Sequence, residues 1–460
     1  MERVMGSFRR GGRGNLWTGL LPVALLWVSG GCGGSSGDGG TLAEAPRGGD
    51  EATPGVVVAP TAPQDSNGGL PQRPVPAAAS PWNQVVGGPQ DDVGTGVATA
   101  PSGDVAVVVY STPRQDEERE PVEGEKLALT LARYAADGAP RWSREWARNR
   151  FSDTRVAASE AATFLSGNAF LYSADFGLGE AQDGFLVKFD TAGSPVWQHR
   201  VGQKVYAIAA DAQGGVLAAG EEWEGEFIED PVLTRYAADG SVLWSRRFHG
   251  ANMDTALHAA ALAPSGQSIL AGQLVDALEV DGQTFGAPGV RGFVVLTFDA
   301  SGRLLWGKEL PGVKGRITSV TVGADGTLVA AGDFIGLLVW GDASLGSSGA
   351  FVLTAGADGS VGWVRQPLCG PVTELGASVA VEDAGGVAVT CGSVLTRYAA
   401  SGAWLGEQTL EAQPCASGVC SLTTAGVATV PGRGLAVTGW QRDGAGDTWN
   451  QDAFLRLVVP

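Results

Sequence analysis

From Trp82 onward, apolar and small residues alternate in short runs, and polar, Gly-bearing turns separate one run from the next. Alternation with a period of two marks a half-buried strand, and a tight turn between two such runs makes a β-hairpin. Two hairpin signatures take turns along the chain. One is an apolar run, an aromatic residue, a turn with Gly, and a Trp four residues after that Gly. It reads LARYAADGAPRW (Gly138, Trp142), LVKFDTAGSPVW (Gly193, Trp197), LTRYAADGSVLW (Gly240, Trp244), LTFDASGRLLW (Gly302, Trp306) and LTAGADGSVGW (Gly359, Trp363). A sixth copy, LTRYAASGAW, carries Trp404 two residues early. The other signature joins two strands through a polar-Gly turn, in seven copies running from ATAPSGDVAVVVY to ATVPGRGLAVTG. Asp-Gly and Ser-Gly supply the positive φ that tight turns require.

Two hairpins make a four-stranded sheet, and the pair returns about every 54 residues. The pattern predicts an all-β fold, a seven-bladed β-propeller of four-stranded antiparallel blades. The array starts and stops out of phase. AFLRLVV at 453–459 matches a third strand, and the missing fourth strand with its Trp stands at the other end, as SPWNQVV around Trp82. An N-terminal strand is therefore expected to join the C-terminal blade and close the ring, which removes exposed strand edges. The alternation of the Asp183-to-Trp197 segment with the Asp211-to-Gly220 segment resembles the bacterial seven-bladed propeller repeat, over residues 82–460. Such repeats are common in bacterial surface lipoproteins. The resemblance implies the fold and an envelope address, and it is silent on activity.

The residues ahead of the repeats read differently. Arg3, Arg9, Arg10 and Arg13 precede an apolar stretch at 15–28, which is short for a transmembrane helix and of signal-peptide length. It ends in Val28-Ser29-Gly30-Gly31-Cys32. Small residues before a Cys resemble the bacterial lipobox, with Ser29 where that motif usually has Leu. The resemblance implies cleavage before Cys32 and acylation of its thiol. Residues 33–81 are rich in Gly, Ser, Pro and Ala without apolar period, and predict a disordered tether spanning about 40 Å as a coil. Gly33-Gly34-Ser35-Ser36-Gly37 fits a nucleophile-elbow pattern but lacks the flanking strand and helix. The expected organisation is a signal peptide at 1–32, a tether at 33–81 and a propeller at 82–460. The expected setting is a monomer anchored in the outer membrane of a bacterial envelope, with the lipid bilayer as partner through acylated Cys32.

Composition narrows the function classes. Gly is 70 of 460 residues, apolar residues are 44% and charged residues 17%, with a net charge of −18. That supports a packed core and excludes a coiled coil, a collagen and a wholly disordered chain. The acidity argues against a nucleic-acid surface, which needs clustered Lys and Arg. Candidate chemistry is sparse. The recurrent Trp reads as packing between blades rather than a sugar-binding ladder. The turns at Asp137, Asp239, Asp325 and Asp358 lack the oxygen density of a calcium loop. His199, His249 and His258 have no metal-ligand spacing and read as surface or blade-junction residues. No cofactor motif is present, and no cofactor is expected. Cys369, Cys391, Cys415 and Cys420 all fall on one face around the sixth blade, and in an oxidising compartment they imply two disulfides. Of three possible pairings, Cys369–Cys391 with Cys415–Cys420 is favoured, against a four-thiolate metal site whose ligands would stand closer in sequence.

Two function classes follow. The first is a non-enzymatic binding or scaffold module. Long loops at 111–125, 221–230, 274–290 and 440–452 mix carboxylates with aromatics, on the face opposite the tight turns. Variable loops on a rigid frame are where recognition usually resides. Glu222, Trp223, Phe227, Trp440, Asp447 and Trp449 are the candidate contacts to an envelope protein or glycan. The second class is a propeller enzyme, a lyase or hydrolase acting on polysaccharide, which would gather His, Arg and carboxylates around the central channel. The inner-strand segments VYAIAADA, HAAALAPS and SVTVGADG are mostly small and apolar and favour the first class. Three or more polar side chains converging at the channel mouth would reverse that order.

Overall fold

The computed structural model describes residues 81–86, 91–112, 127–147, 151–223, 229–248, 255–369, 376–415, 417–418, 420–444 and 450–459. Cys32, Phe227, His249, Asp447 and Trp449 lie outside them. After β1 (Asn83–Val86), six four-stranded sheets follow in chain order. Blade one is β2 (Asp91–Thr99), β3 (Val105–Thr112), β4 (Ala128–Tyr134) and β5 (Pro140–Ala147). Blade two is β6 (Ser152–Ala158), β7 (Thr163–Asp175), β8 (Glu180–Phe189) and β9 (Pro195–Gly202). Blade three is β10 (Lys204–Ala210), β11 (Val216–Trp223), β12 (Glu229–Tyr236) and β13 (Val242–Arg247). Blade four begins with β14 (Ala256–Leu262) and β15 (Ser268–Val275), inserts a hairpin of β16 (Leu278–Val280) and β17 (Gln283–Phe285), and ends with β18 (Arg291–Phe298) and β19 (Leu304–Pro311). Blade five repeats that plan with β20 (Lys314–Val322), β21 (Leu328–Ile335), the hairpin β22 (Leu338–Trp340) and β23 (Ala343–Leu345), β24 (Ser348–Ala355) and β25 (Val361–Arg365). Blade six is the smallest: β26 (Ser378–Val381), β27 (Val387–Cys391), β28 (Val394–Tyr398) and β29 (Trp404–Thr409). β30 (Cys420–Val430), β31 (Gly434–Asp443) and β32 (Asn450–Val458) form blade seven, and β1 pairs antiparallel with β32 as its fourth strand.

The fold is all-β with seven blades. The innermost strands β2, β6, β10, β14, β20, β26 and β30 touch in that order, and β30 returns to β2. The core is divided among the gaps between sheets. Val329 and Val352 of blade five, for example, share one buried cluster with Val379, Val387 and Val389 of blade six. The inserted hairpins of blades four and five were not foreseen as hairpins. The sequence predicts a long loop at 274–290, where the structure has the β16–β17 hairpin, and gives no sign of the β22–β23 hairpin.

Six tryptophans clasp neighbouring sheets. Each is half-buried and lies on the turn glycine of the next blade: Trp82 on Gly138, Trp142 on Gly193, Trp197 on Gly240, Trp244 on Gly302, Trp306 on Gly359 and Trp363 on Gly402. Glycine is required there twice over. Its φ is positive, +81° at Gly302, and a Cβ on Gly302 would stand 2.7 Å from the Trp244 ring. Five of the indoles donate Nε1–H to the carbonyl two residues before the glycine, as Trp244 does to Ala300 at 2.9 Å and Trp363 to Ala400 at 2.9 Å. Two residues after the Trp, Gln84, Arg144, Arg246 and Arg365 donate to the glycine's own carbonyl at 2.9–3.0 Å. The tryptophans therefore pack between blades, as the sequence implied, at the half-exposed rim rather than deep in the core.

Trp404 breaks the series for a topological reason. It pairs with Tyr398 in β28, whereas Trp142, Trp197 and Trp244 pair with the residue one place earlier, after a bulge. Gly406 occupies the clasp position in blade six. The next blade is the seventh, whose third and fourth strands come from opposite ends of the chain. Among the described residues no turn glycine stands there to be clasped, and Trp404 stays 60% exposed.

Both favoured disulfides are present. Cys369 bonds Cys391 at the end of β27 with Cα atoms 5.2 Å apart, and Cys415 bonds Cys420 at the start of β30 with Cα atoms 6.0 Å apart. They bracket the blade with the shortest strands and the missing clasp. Replacing Cys369 and Cys391 together by Ser should cost about 3 kcal/mol, and replacing Cys415 and Cys420 about 2 kcal/mol, following loop length. Trp244→Ala should cost about 3 kcal/mol, whereas Trp404→Ala should stay within about 0.5 kcal/mol. Urea unfolding of the four variants checks the ranking; an equal loss for Trp404→Ala and Trp244→Ala would contradict the clasp.

Candidate functional site

The seven inner strands enclose a channel cavity of about 970 Å³. Its two ends differ. Asp325, Glu382 and Asp383 lie towards the tight-turn end. Towards the other end, where the blade connectors and long loops emerge, lie Arg155 and His258.

A register skip sets the geometry of that second end. In six blades the ladder between first and second strands shifts at one level, for instance between Gly94 and Gly96, Val205 and Ala207, and Ile317 and Ser319. A bulge of this kind re-aims a side chain out of the regular alternation. Counting back from the first turn of each blade, the equivalent residues are Thr95, Thr154, Tyr206, His258, Thr318, Ala377 and Ala425. Three of these join neighbouring blades by their hydroxyls. Thr95 and Thr154 share a hydrogen bond at 2.6 Å, and Thr318 Oγ1 donates to the Ala377 carbonyl at 2.6 Å. In the third and fourth blades the same level holds two rings, and Tyr206 and His258 approach to 3.7 Å between centroids.

Around that ring pair the side chains of blades two to four converge. Lys204 Nζ lies 2.7 Å from Glu221 Oε1, 6.0 Å from the centre of the Tyr206 ring and 5.1 Å from that of Trp223. Trp223 Nε1 donates to Glu221 Oε1 at 3.1 Å. Asp153, at φ 51°, accepts from Asn168 Nδ2 at 3.0 Å, and Asn168 Oδ1 accepts from the Val205 amide at 2.7 Å. Arg155 Nη1 donates to the Thr154 carbonyl at 3.0 Å. Burial lowers the Arg155 pKa, and the Asp153 charge opposes that shift. Burial also lowers the His258 pKa to about 4; Glu221 and Asp153 pull it back up, while Arg155 and Lys204 push it further down. His258 is thus a neutral imidazole at pH 7.

The sequence-predicted contacts scatter around this cluster. Trp223 is 38% exposed at its edge, and Glu222 is engaged by Arg200 at 3.1 Å, farther out on the same face. Trp440 is half-buried in blade seven. His199 stacks on Tyr236 at a blade junction, as expected. The turn aspartates spend their carboxylates inside their own turns, as Asp239 does on the Ser241 amide at 2.9 Å. His258 stands at a blade junction, as expected, packed against Tyr206 of the neighbouring blade, and it also lines the channel, because the bulge turns it inward. The inner strands are small and apolar at most positions, with Arg155 and His258 in the channel lining, and Tyr206 against His258, as exceptions. Their signal was in the sequence: VYAIAADA and HAAALAPS each contain the exception, which appears once the segments are aligned on their turns.

No protein-family model matches the chain, and no curated protein matches it. Among solved structures it is similar to a protein of unknown function from Bacteroides caccae, with 14% identity, 61% of this chain and 84% of that one covered, and a TM-score of 0.37. It is similar to a protein of unknown function from Dyadobacter fermentans, with 10% identity, 82% and 98% covered, and a TM-score of 0.43. A gluconolactonase from Xanthomonas campestris shares 16% identity, with 73% and 91% covered and a TM-score of 0.37. Likeness at this level carries no argument about activity.

The His258 environment has a consequence for stability. Between the ordinary histidine pKa of 6.5 and about 4, the unfolded chain takes a proton that the folded chain refuses. This contribution is present above that window and is lost as pH falls through it. His258→Gln should lose less stability than the parent between pH 7 and pH 4, by up to about 3 kcal/mol. Urea midpoints at the two pH values test this; parallel losses would show that His258 titrates normally.

Proposed function

We propose that this chain is a lipid-anchored envelope propeller that captures a polar ligand, or the polar tip of a glycan or envelope protein, at the channel mouth on its long-loop face. One observation carries the reading: Arg155 and His258 line one cavity and Tyr206 packs against His258, three side chains on consecutive inner strands that break a pattern of small residues. The cavity is of the size that takes small molecules, with few polar groups on a rigid frame. In this reading Cys32 is acylated and residues 33–81 form the tether. The chain enters blade seven at Trp82 from the tight-turn side, which leaves the mouth on the opposite face. In this reading Trp223 and Trp440, near the ends of the second strands of blades three and seven, are further contacts, as are Phe227, Asp447 and Trp449, which lie outside the described residues.

The same convergence favours a second reading, a polysaccharide lyase or hydrolase, over an inert scaffold. Binding stays ahead of it: of the three, Arg155 and His258 line the cavity and Tyr206 stands behind His258, short of the three converging polar side chains that would put catalysis first. General acid–base catalysis is most effective when a group titrates near the working pH, and His258 at about 4 is a weak proton acceptor at neutrality.

Mass spectrometry of the mature N-terminus should find a diacylglyceryl group on Cys32; an unmodified Cys32 rules out the anchor. Glycan arrays and pull-downs from solubilised envelope should retain a partner with the parent and lose it with a Tyr206→Ala, His258→Ala double variant of unchanged fold. Retention by both proteins would place recognition elsewhere. New reducing ends in a retained glycan would move the protein to the enzymatic reading.

A further inference from the structure

The channel offers one cation whose donors are mostly unspent. Arg155 follows the bulge residue of blade two. The equivalent residues in the other six blades are Gly96, Ala207, Ala259, Ser319, Ser378 and Gly426. The ring therefore closes at that level on small side chains, and the guanidinium answers no repeating structural need. Its surroundings among the described residues are spare for a half-buried arginine. One nitrogen donates to the backbone of the preceding residue, and among the described residues no carboxylate reaches it within ion-pair distance. Asp153 acts on it only through its field, and that carboxylate already accepts from Asn168 and Ser152. Lys204, the other cation of the mouth, is engaged by Glu221 at 2.7 Å.

Resting on the reading of the mouth as a recognition site, we propose that Arg155 anchors an oxyanion of the ligand, a carboxylate or a phosphate carried on a small polyhydroxylated molecule. A planar guanidinium with free donors matches a two-oxygen anion, and partial burial strengthens the pair. His258 borders the same space with Tyr206 packed against it, and a neutral imidazole can donate to or accept from the ligand's hydroxyl groups. The polarity of the channel fits this direction of entry. Asp325 and Asp383 leave the far end acidic, Glu382 being paired with Arg397 at 3.1 Å, so an anion seated at Arg155 is not drawn through. The chain's net charge of −18 also means that attraction is confined to the mouth and does not come from a general basic surface.

The experiment is calorimetric titration of the purified full chain with glucuronate, glucose 6-phosphate and neutral glucose. One or both anionic sugars should bind, and neutral glucose should bind at least tenfold more weakly. Binding of glucuronate alone identifies a carboxylate ligand, and binding of glucose 6-phosphate alone a phosphate. Arg155→Ala should weaken the anion by about tenfold or more, with Arg155→Lys between it and the parent. The alanine variant should keep the parent's melting temperature, because blades three and four already carry Ala207 and Ala259 at that place. Equal binding of neutral and anionic sugars that is lost in the Tyr206→Ala, His258→Ala variant but not in Arg155→Ala would overturn the anion assignment and leave the recognition site standing. No binding of either anionic sugar overturns the anion assignment, and envelope capture by the parent then decides the recognition site separately.

Discussion

The contact between a fourth-strand tryptophan and the turn glycine of the next blade is the constraint on which the rest of this ring depends. A four-stranded sheet cannot bury both faces by itself, so each blade is stable only as one side of two interfaces. The apolar clusters fill those interfaces, but apolar packing alone does not fix how far one sheet slides along its neighbour. The clasp does. The indole face needs a residue without Cβ beneath it, the indole N–H needs a carbonyl two residues earlier, and the side chain two residues after the Trp needs the glycine's own carbonyl. All three can be met in only one mutual position of the sheets. The bulge before five of the six tryptophans serves the same end, because regular pairing would aim the ring elsewhere.

This constraint also explains where the molecule departs from its own repeat. Blade seven is assembled from β30–β32 and β1, and among the described residues its outer corner has no turn glycine. The clasp from blade six has nothing to hold, and Gly406 stands where the ring would be. Blade six also has the shortest strands, and both disulfides sit around it. Cys415–Cys420 stands in the connector to blade seven, at the interface that the aromatic clasp does not serve, whereas Cys369–Cys391 lies on the blade-five side, where Trp363 still clasps Gly402. Across the seam on the other side the clasp is intact, since Trp82 lies on Gly138 of blade one.

Much of this architecture was legible in the sequence because its cues are local. A turn glycine with positive φ, two-residue alternation and a Trp at fixed spacing identify the hairpins, and the out-of-phase ends identify the seam. Cys369, Cys391, Cys415 and Cys420 could be paired because the strand order alone brings them to one end of one blade. The parts that escaped depend on relations between strands. A bulge is a mismatch of two strands, and neither strand shows it alone. The direction in which Tyr206 and His258 point was therefore hidden, and their segments were judged by average composition. The β22–β23 hairpin escaped because its strands are three residues each, too short for alternation to register.

A repeat protein supplies its own control for separating structure from function. Where a position is occupied alike around the ring, packing explains it: the clasp tryptophans, their glycines and the small residues beside the channel all recur. Function has to break symmetry, since a ligand smaller than the ring meets only some of the blades. In this chain the exceptions at the channel level are not scattered. Arg155, Tyr206 and His258 sit on the consecutive blades two, three and four, and their neighbours Lys204, Glu221 and Trp223 extend the same sector outward. Blades five, six and seven keep Thr318, Ala377 and Ala425 at the bulge position. A strain relieved by bulky side chains would be spread around the ring by the same repetition that spreads the clasps. Confinement to one sector, at the end of the channel where the connectors emerge, is what a recognition site requires and what packing leaves unexplained.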